Sequence, residues 1–206
     1  MLYYVAERTT MKHALMDKLS VEQDGFLTTG DVTRAGVSKT WFLNYVRKNN
    51  YERIGHGMYL APDSLADGFY ALQKRHPSVI FSHETALYLH NLSDREPLAY
   101  NVTVKHGYNP TALKASGIDV YTVTADRFEI GVTECNTPFG HSVKTYDMER
   151  TICDLLRPRS RVEAQDYTTA LKEYFRRKDR DIPKLMDYGK LFKVEKKLRL
   201  YTEVLL

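Results

Sequence analysis

"TTGDVTRAGVSKTWFLNYVRKNN" (residues 28–50) runs directly into "YERIGHGMYLAP" (51–62), and the reading of this stretch decides the fold. Thr28 or Thr29 is placed to N-cap a short helix carrying Val32 and Ala35, which Gly36 ends. Ser38 then caps a longer helix through Lys48. Its apolar stripe is Val37, Trp41 and Tyr45 with Phe42 and Val46, at helical spacing. Two strand-like runs follow, around Ile54 and over Met58–Leu60, on either side of Gly55-His56-Gly57. Both glycines permit the positive φ that a tight tip requires. Short helix, turn, longer helix and hairpin are the layout of a winged helix-turn-helix.

Once the apolar stripe is set aside, Ser38, Lys39, Thr40, Asn44, Arg47 and Lys48 face outward on the longer helix. Hydroxyls and an amide can hydrogen-bond base edges, and Lys and Arg can pair with phosphates or guanine. Arg53 at the entry of the wing and His56 at its tip would lie beside the same duplex. The plainer reading is that Trp41 and Tyr45 serve the core and that a small winged domain binds protein.

Outward from this stretch, residues 1–10 read as an extended lead-in, and Met11 to Glu22 as a helix with Leu15 and Leu19 on one face. Pro62 closes the first domain, 1–62, and a second, 63–206, follows without a long linker. In it, helices are expected over 63–77 and after Ser82, and strands over 79–81, 99–106, 118–124, 128–135 and 141–147. A helix starting at Asp147 and further helices over 164–178 and 184–204 complete the chain. The fold class is α+β: an N-terminal winged helix-turn-helix followed by a mixed α/β domain.

Composition bounds the function classes. With 43% apolar and 27% charged residues, the balance is that of an ordinary globular protein. No apolar run is long enough for a membrane span, and no signal-peptide pattern opens the chain. Cys135 and Cys153 have no CxxC spacing, which argues against a disulfide framework and points to the cytoplasm. The net charge is +4, and residues 172–199 hold eleven Lys/Arg against five Asp/Glu. That excess is either a surface for an anionic partner or a solvated helix face.

No catalytic constellation is legible. His76, His83 and His90 recur every seven residues, but Pro77 separates the first two, and His83-Glu84 with His90 is not HExxH. Asp147, Glu149 and Asp154 could hold magnesium in a nuclease. Each also has a structural use: Asp147 as an N-cap, Glu149 at the positive helix end, Asp154 paired with Arg150. No cofactor or metal is expected.

In combination, "RIGHGMYLAP", "VIFSHETALYLHNLSDREP", "VTVKHGYN", "VKTYDMERTICDLLR" and the terminal "YTEVLL" resemble the AbiEi antitoxin family over nearly the whole chain, from about Met11 to Leu206. The resemblance implies an antitoxin of a type IV toxin–antitoxin operon acting in abortive infection against bacteriophage, and not an enzyme. It implies a winged domain that binds inverted repeats in its own promoter and represses the operon. It also implies a C-terminal domain that counteracts a nucleotidyltransferase-like AbiEii toxin without a stable complex. Carried onto this chain, Lys39, Thr40, Asn44 and Arg47 read DNA, supported by Arg53 and His56. Arg176, Arg177, Lys178, Lys184, Lys190, Lys193, Lys196 and Lys197 form a basic C-terminal surface for DNA contact, antitoxicity or both. The competing readings are a Mg-dependent nuclease, an activity modifying the toxin or its target, and a ligand-sensing transcription factor.

Overall fold

A computed structural model describes residues 2–157 and 164–205; Leu206, which ends the "YTEVLL" motif, lies outside them. The chain is a mixed α+β protein with two sheets. It divides into two compact units, Met1–Ala71 and Leu72–Leu206.

The first unit runs α1 (Leu2–Glu22), β1 (Phe26–Thr28), α2 (Thr29–Arg34), α3 (Lys39–Lys48), β2 (Glu52–Gly55) and β3 (Met58–Leu60). The expected extended lead-in is helical from Leu2 onward. Residues 2–10 contain neither Gly nor Pro, so nothing stops the helix from propagating back from its packed turn at Met16. The two caps are as the sequence suggests. Thr28 Oγ1 accepts from the Asp31 amide at 3.0 Å, and Ser38 Oγ from the Trp41 amide at 3.4 Å.

The sheet has one strand more than the hairpin, in the order β1-β3-β2. β1 pairs antiparallel with β3, with Phe26 opposite Leu60 and Thr28 opposite Met58. Met16, Leu27, Val32, Val37, Phe42, Tyr45 and Val46 form the core between helices and sheet. Phe26, Met58 and Leu60 form a second cluster, against which Tyr70 packs edge-on to Phe26.

In the β2–β3 hairpin, of the two glycines only Gly57 takes a positive φ (68°). Gly55 ends β2 after a register shift against β3, a bulge that absorbs the turn without left-handed backbone.

Next comes α4 (Gly68–Arg75), inside which the division between the units falls. The helix expected over 63–77 is confined to these eight residues, because Asp67 supplies its start by accepting the Tyr70 amide at 3.1 Å.

The remaining elements are β4 (Ile80–Phe81), α5 (His83–Leu89), β5 (Asn101–Lys105), α6 (Thr111–Ala115), β6 (Asp119–Val123), α7 (Ala125–Phe128), β7 (Val132–Asn136) and β8 (Ser142–Tyr146), then α8 (Met148–Leu155), α9 (Ala164–Arg176), α10 (Ile182–Leu191) and α11 (Glu195–Leu205). The five strands form a mixed sheet in the order β6-β5-β4-β8-β7. β4–β8 and β5–β6 are parallel, while β4–β5 and β7–β8 are antiparallel.

The strand expected over 128–135 begins only at Val132, because Phe128 closes α7 and Gly131 (φ 77°) turns the chain. A Cβ on Gly131 would lie 2.7 Å from the Cβ of Arg150, so the close approach of α8 needs glycine there. The segment expected as helical over 184–204 is two helices broken around Lys193, whose φ is 61°. Central to this unit is α8, every residue of which from Glu149 to Leu155 is buried. Ile152, Cys153 and Leu155 meet Tyr174, Phe175, Leu185, Phe192 and Leu198 of the C-terminal helices and the break between α10 and α11.

Candidate functional site

The outward face of α3 is open. Ser38, Lys39, Thr40, Asn44, Arg47 and Lys48 are all exposed. Thr40, Asn44 and Arg47 follow one another at i, i+4 and i+7, so they share a single stripe. The opposite stripe, Phe42, Tyr45 and Val46, is buried. Lys39, Arg47 and Lys48 form no ion pair with the described residues, and their charge is available. Arg47 and Lys48 also sit at the negative end of the helix dipole, a favourable place for cations whatever they bind.

What holds α3 in place lies behind it. From α1, Asp17 accepts the Tyr45 hydroxyl at 2.5 Å, and the His13 ring meets Trp41 edge-on, centroids 5.1 Å apart. Burial, reinforced by Asp17, drives the Tyr45 phenol far above its ordinary value, so it stays a donor. Trp41, expected in the core, is only half-buried, with Lys12 Nζ 5.8 Å from its ring centroid.

The hairpin presents Arg53 and His56, both exposed. Arg53 Nε donates to the Gly55 carbonyl at 3.2 Å, which keeps this side chain along its own strand. The tip is tied to α2: both the amide and the hydroxyl of Thr29 donate to the Gly57 carbonyl, at 2.8 and 3.0 Å. A Cβ on Gly57 would stand 2.2 Å from Thr29 Oγ1. The sequence shows Thr29 only as a capping candidate; its role as an anchor becomes visible when β1 and β3 are paired.

Several of the C-terminal cations have partners of their own. Arg176 pairs with Glu173 (2.7 Å), Arg177 with Asp179 (2.7 Å) and Lys190 with Asp187 (3.4 Å). Lys184 turns inward to Asp147 at 2.9 Å and Glu149 at 3.6 Å. Burial opposes its charge, but the two carboxylates outweigh this and raise its pKa. Lys197 donates to the Leu156 carbonyl at 2.9 Å, just past the end of α8. Lys178, Lys193 and Lys196 are exposed and form no ion pair with the described residues.

The three carboxylates of α8 and its cap have distinct uses. Asp147 Oδ1 accepts the Arg150 amide at 2.7 Å. Glu149 Oε1 accepts the Tyr174 hydroxyl at 2.9 Å and the Asp181 amide at 3.1 Å. Asp154 Oδ2 accepts Arg150 Nε at 2.8 Å, both groups buried. Among the described residues, no group of three or more His, Cys, Asp or Glu stands where it could hold a metal ion.

At the start of α5, Ser82 occupies the cap position but its side chain makes no capping bond. Asn101 of β5 does so instead, accepting the Glu84 amide at 3.1 Å. Ser82 Oγ accepts from Thr103 at 2.9 Å. His83 is buried at φ 51° and stacks on Tyr121 with centroids 3.5 Å apart. His76 Nδ1 meets the Tyr108 hydroxyl at 3.2 Å, and His90 Nε2–H donates to the Tyr146 carbonyl at 2.7 Å. The three histidines therefore have separate partners.

The class of fold is thus an α+β chain carrying a small three-stranded sheet and a larger mixed one. No protein-family model matches it, and no curated protein matches its sequence. Among solved structures it is similar to the RV2827C protein from Mycobacterium tuberculosis. The identity is 13%, the match covers 85% of this chain and 70% of that one, and the TM-score is 0.59. At that identity the likeness is one of fold.

Proposed function

We propose that this protein is a DNA-binding antitoxin of the AbiEi type. In this reading the first unit is a winged helix-turn-helix, with α2 and α3 as its two helices and β2–β3 as its wing. α3 enters the major groove of duplex DNA, Thr40 and Asn44 meet base edges, and Lys39, Arg47 and Lys48 meet phosphates or guanine. Arg53 and His56 reach the neighbouring backbone. The protein represses its own operon through inverted repeats, works in the cytoplasm and is not an enzyme. Its second unit counteracts a nucleotidyltransferase-like toxin without a lasting complex.

One observation carries the DNA-binding part: the polar and basic side chains of α3 form a continuous exposed stripe, while the apolar ones are buried behind it. The antitoxin part rests on the sequence motifs. No helix among the described residues is long and apolar enough to cross a membrane. Fluorescence anisotropy with a labelled duplex taken from upstream of the gene tests the reading. Binding should be tighter to that duplex than to a shuffled one of equal length, and it should be lost in a Lys39→Ala/Arg47→Ala/Lys48→Ala variant. Equal binding to both duplexes, unchanged in the variant, would refute it.

A further inference from the structure

Three guanidinium groups of the second unit gather around one aromatic ring. The Cζ of Arg150 lies 4.1 Å from the Phe192 ring centroid, and those of Arg127 and Arg157 lie at 6.0 Å each. Arg150 Cζ also lies 4.3 Å from the Tyr146 ring centroid. The buried carboxylate in this group is Asp154, which accepts Arg150 Nε at 2.8 Å and Arg157 Nη1 at 3.0 Å. Asp126 approaches Arg127 Nε only to 3.8 Å, and its side chain is 74% exposed. Glu129 is also exposed, so water screens both of these charges.

Arg150 is the largest fully buried side chain of the molecule among those described. Its Nη1 donates to the Arg127 and Ile130 carbonyls at 2.8 and 2.9 Å. Its Nη2 is buried and has no hydrogen-bond partner. A guanidinium nitrogen withdrawn from water without an acceptor is costly, and two cationic neighbours sharing one carboxylate add to the imbalance.

We propose that Arg127, Arg150 and Arg157 form a binding site for the phosphate group of a small ligand. Asp154, the buried carboxylate of the cluster, accepts from Arg150 and Arg157 and cannot occupy all the donors of three guanidinium groups. Guanidinium forks match phosphate oxygens in pairs. Arg127 and Arg157, whose side chains are 31% and 27% exposed, form the edge of the site toward solvent. Among the described residues, Arg127 has a loose ion pair with Asp126 and lies over the edge of the Phe192 cluster. In the proposed site the buried, unpartnered Arg150 Nη2 supplies the innermost donor. Inorganic phosphate, pyrophosphate and a nucleoside triphosphate share this chemistry.

The test titrates the full chain with sodium phosphate, pyrophosphate and ATP by calorimetry and by ³¹P line broadening. Each titration is matched against sodium chloride of the same ionic strength. Saturable binding is expected with at least one of the three. Arg127→Gln and Arg157→Gln should each weaken it by about tenfold, and Lys178→Gln should leave it unchanged. ATP binding no tighter than pyrophosphate identifies the phosphate as the whole recognised group; tighter ATP binding identifies a nucleotide. Arg157→Gln removes a contact to Asp154 and can loosen the fold. Arg127→Gln leaves both contacts of the buried Asp154 in place and decides the matter alone if necessary. The proposal is overturned by the absence of saturable binding beyond the chloride control, or by equal affinity in Arg127→Gln and the wild type. A loss of duplex binding in Arg127→Gln without any phosphate binding would overturn it too, assigning these arginines to nucleic acid.

Discussion

Under the proposed DNA-binding role, Arg47 is a side chain whose loss should affect binding but not folding. It is exposed, lies in the last turn of α3 and forms no ion pair with the described residues. Arg47→Ala is therefore expected to weaken duplex binding by about 1–3 kcal/mol. The urea midpoint should move by no more than about 0.5 kcal/mol-equivalent, as for other surface changes. Anisotropy and equilibrium unfolding on the same preparation check both parts. His90 is the opposite case, a buried group tied to stability. Burial holds its imidazole below the ordinary 6.5, as Arg177 does to a lesser degree, against the Tyr146 carbonyl, Asp147 and Glu149. The unfolded chain thus takes up a proton near pH 6.5 while the folded chain does not. The contribution of His90 is fully present above that pH and is lost as pH falls through 6.5 toward the lower folded value. Urea midpoints between pH 7.5 and 5.5 should fall less steeply in His90→Gln, which keeps a donor for Tyr146 but does not titrate. An identical slope in both would assign the acid sensitivity elsewhere, for instance to His76, which burial and Arg75 also hold low.

Among the elements, the β2–β3 hairpin is held by α2 as well as by its own strand pairing. The Thr29 amide and hydroxyl both end on the Gly57 carbonyl, and Gly57 is in the left-handed region. Gly57→Ala meets strained backbone and a Cβ clash with Thr29 Oγ1 together. It should destabilise the first unit by about 1–3 kcal/mol. Hydrogen exchange would localise the effect: the amides of Thr29 and Met58 should lose protection while those of α8 keep theirs. Uniform loss across the chain would mean that the tip is not a local anchor. The three residues of β1 were illegible because "FLT" is too short to show alternation. It is a strand only because β3 lies beside it, with Phe26 and Leu27 buried. The start of α5 follows the same logic. Ser82 has the right identity for a cap, yet Asn101 on the neighbouring β5 caps it, because Ser82 is turned toward Thr103. Local sequence offers a capping residue; tertiary neighbours decide which one is used.

For the whole molecule, the placement of charge matters more than its sum. The first unit holds as many acidic as basic residues by sequence, but Lys39, Arg47, Lys48 and Arg53 are collected on α3 and the hairpin. In the second unit Arg176, Arg177 and Lys190 pair with acids of their own segment, and Lys184 turns to Asp147 and Glu149 outside it. If the first unit binds duplex DNA as proposed, the salt dependence of that binding should come mainly from α3. Replacing Lys39, Arg47 and Lys48 together is expected to flatten the slope of log K against log salt by roughly 2–3, since each phosphate contact contributes about 0.9. Reversing Lys193 and Lys196 should leave that slope within error. The opposite result would place the dominant DNA contact on the C-terminal helices.

The sequence by itself determined the helices around the opening stretch, two of their caps, the outward stripe of α3 and the structural use of Asp147 and Asp154. All of these rest on interactions within a few residues, where side-chain spacing and backbone geometry are nearly the same thing. Distant neighbours alone make β1 a strand, replace Ser82 by Asn101 as a cap, turn Lys184 inward to Asp147 and Glu149, and bury Arg150 near the Tyr146 and Phe192 rings. Those outcomes depend on partners up to tens of residues away along the chain. Local spacing carries no record of which distant group will arrive to share a hydrogen bond or exclude the water.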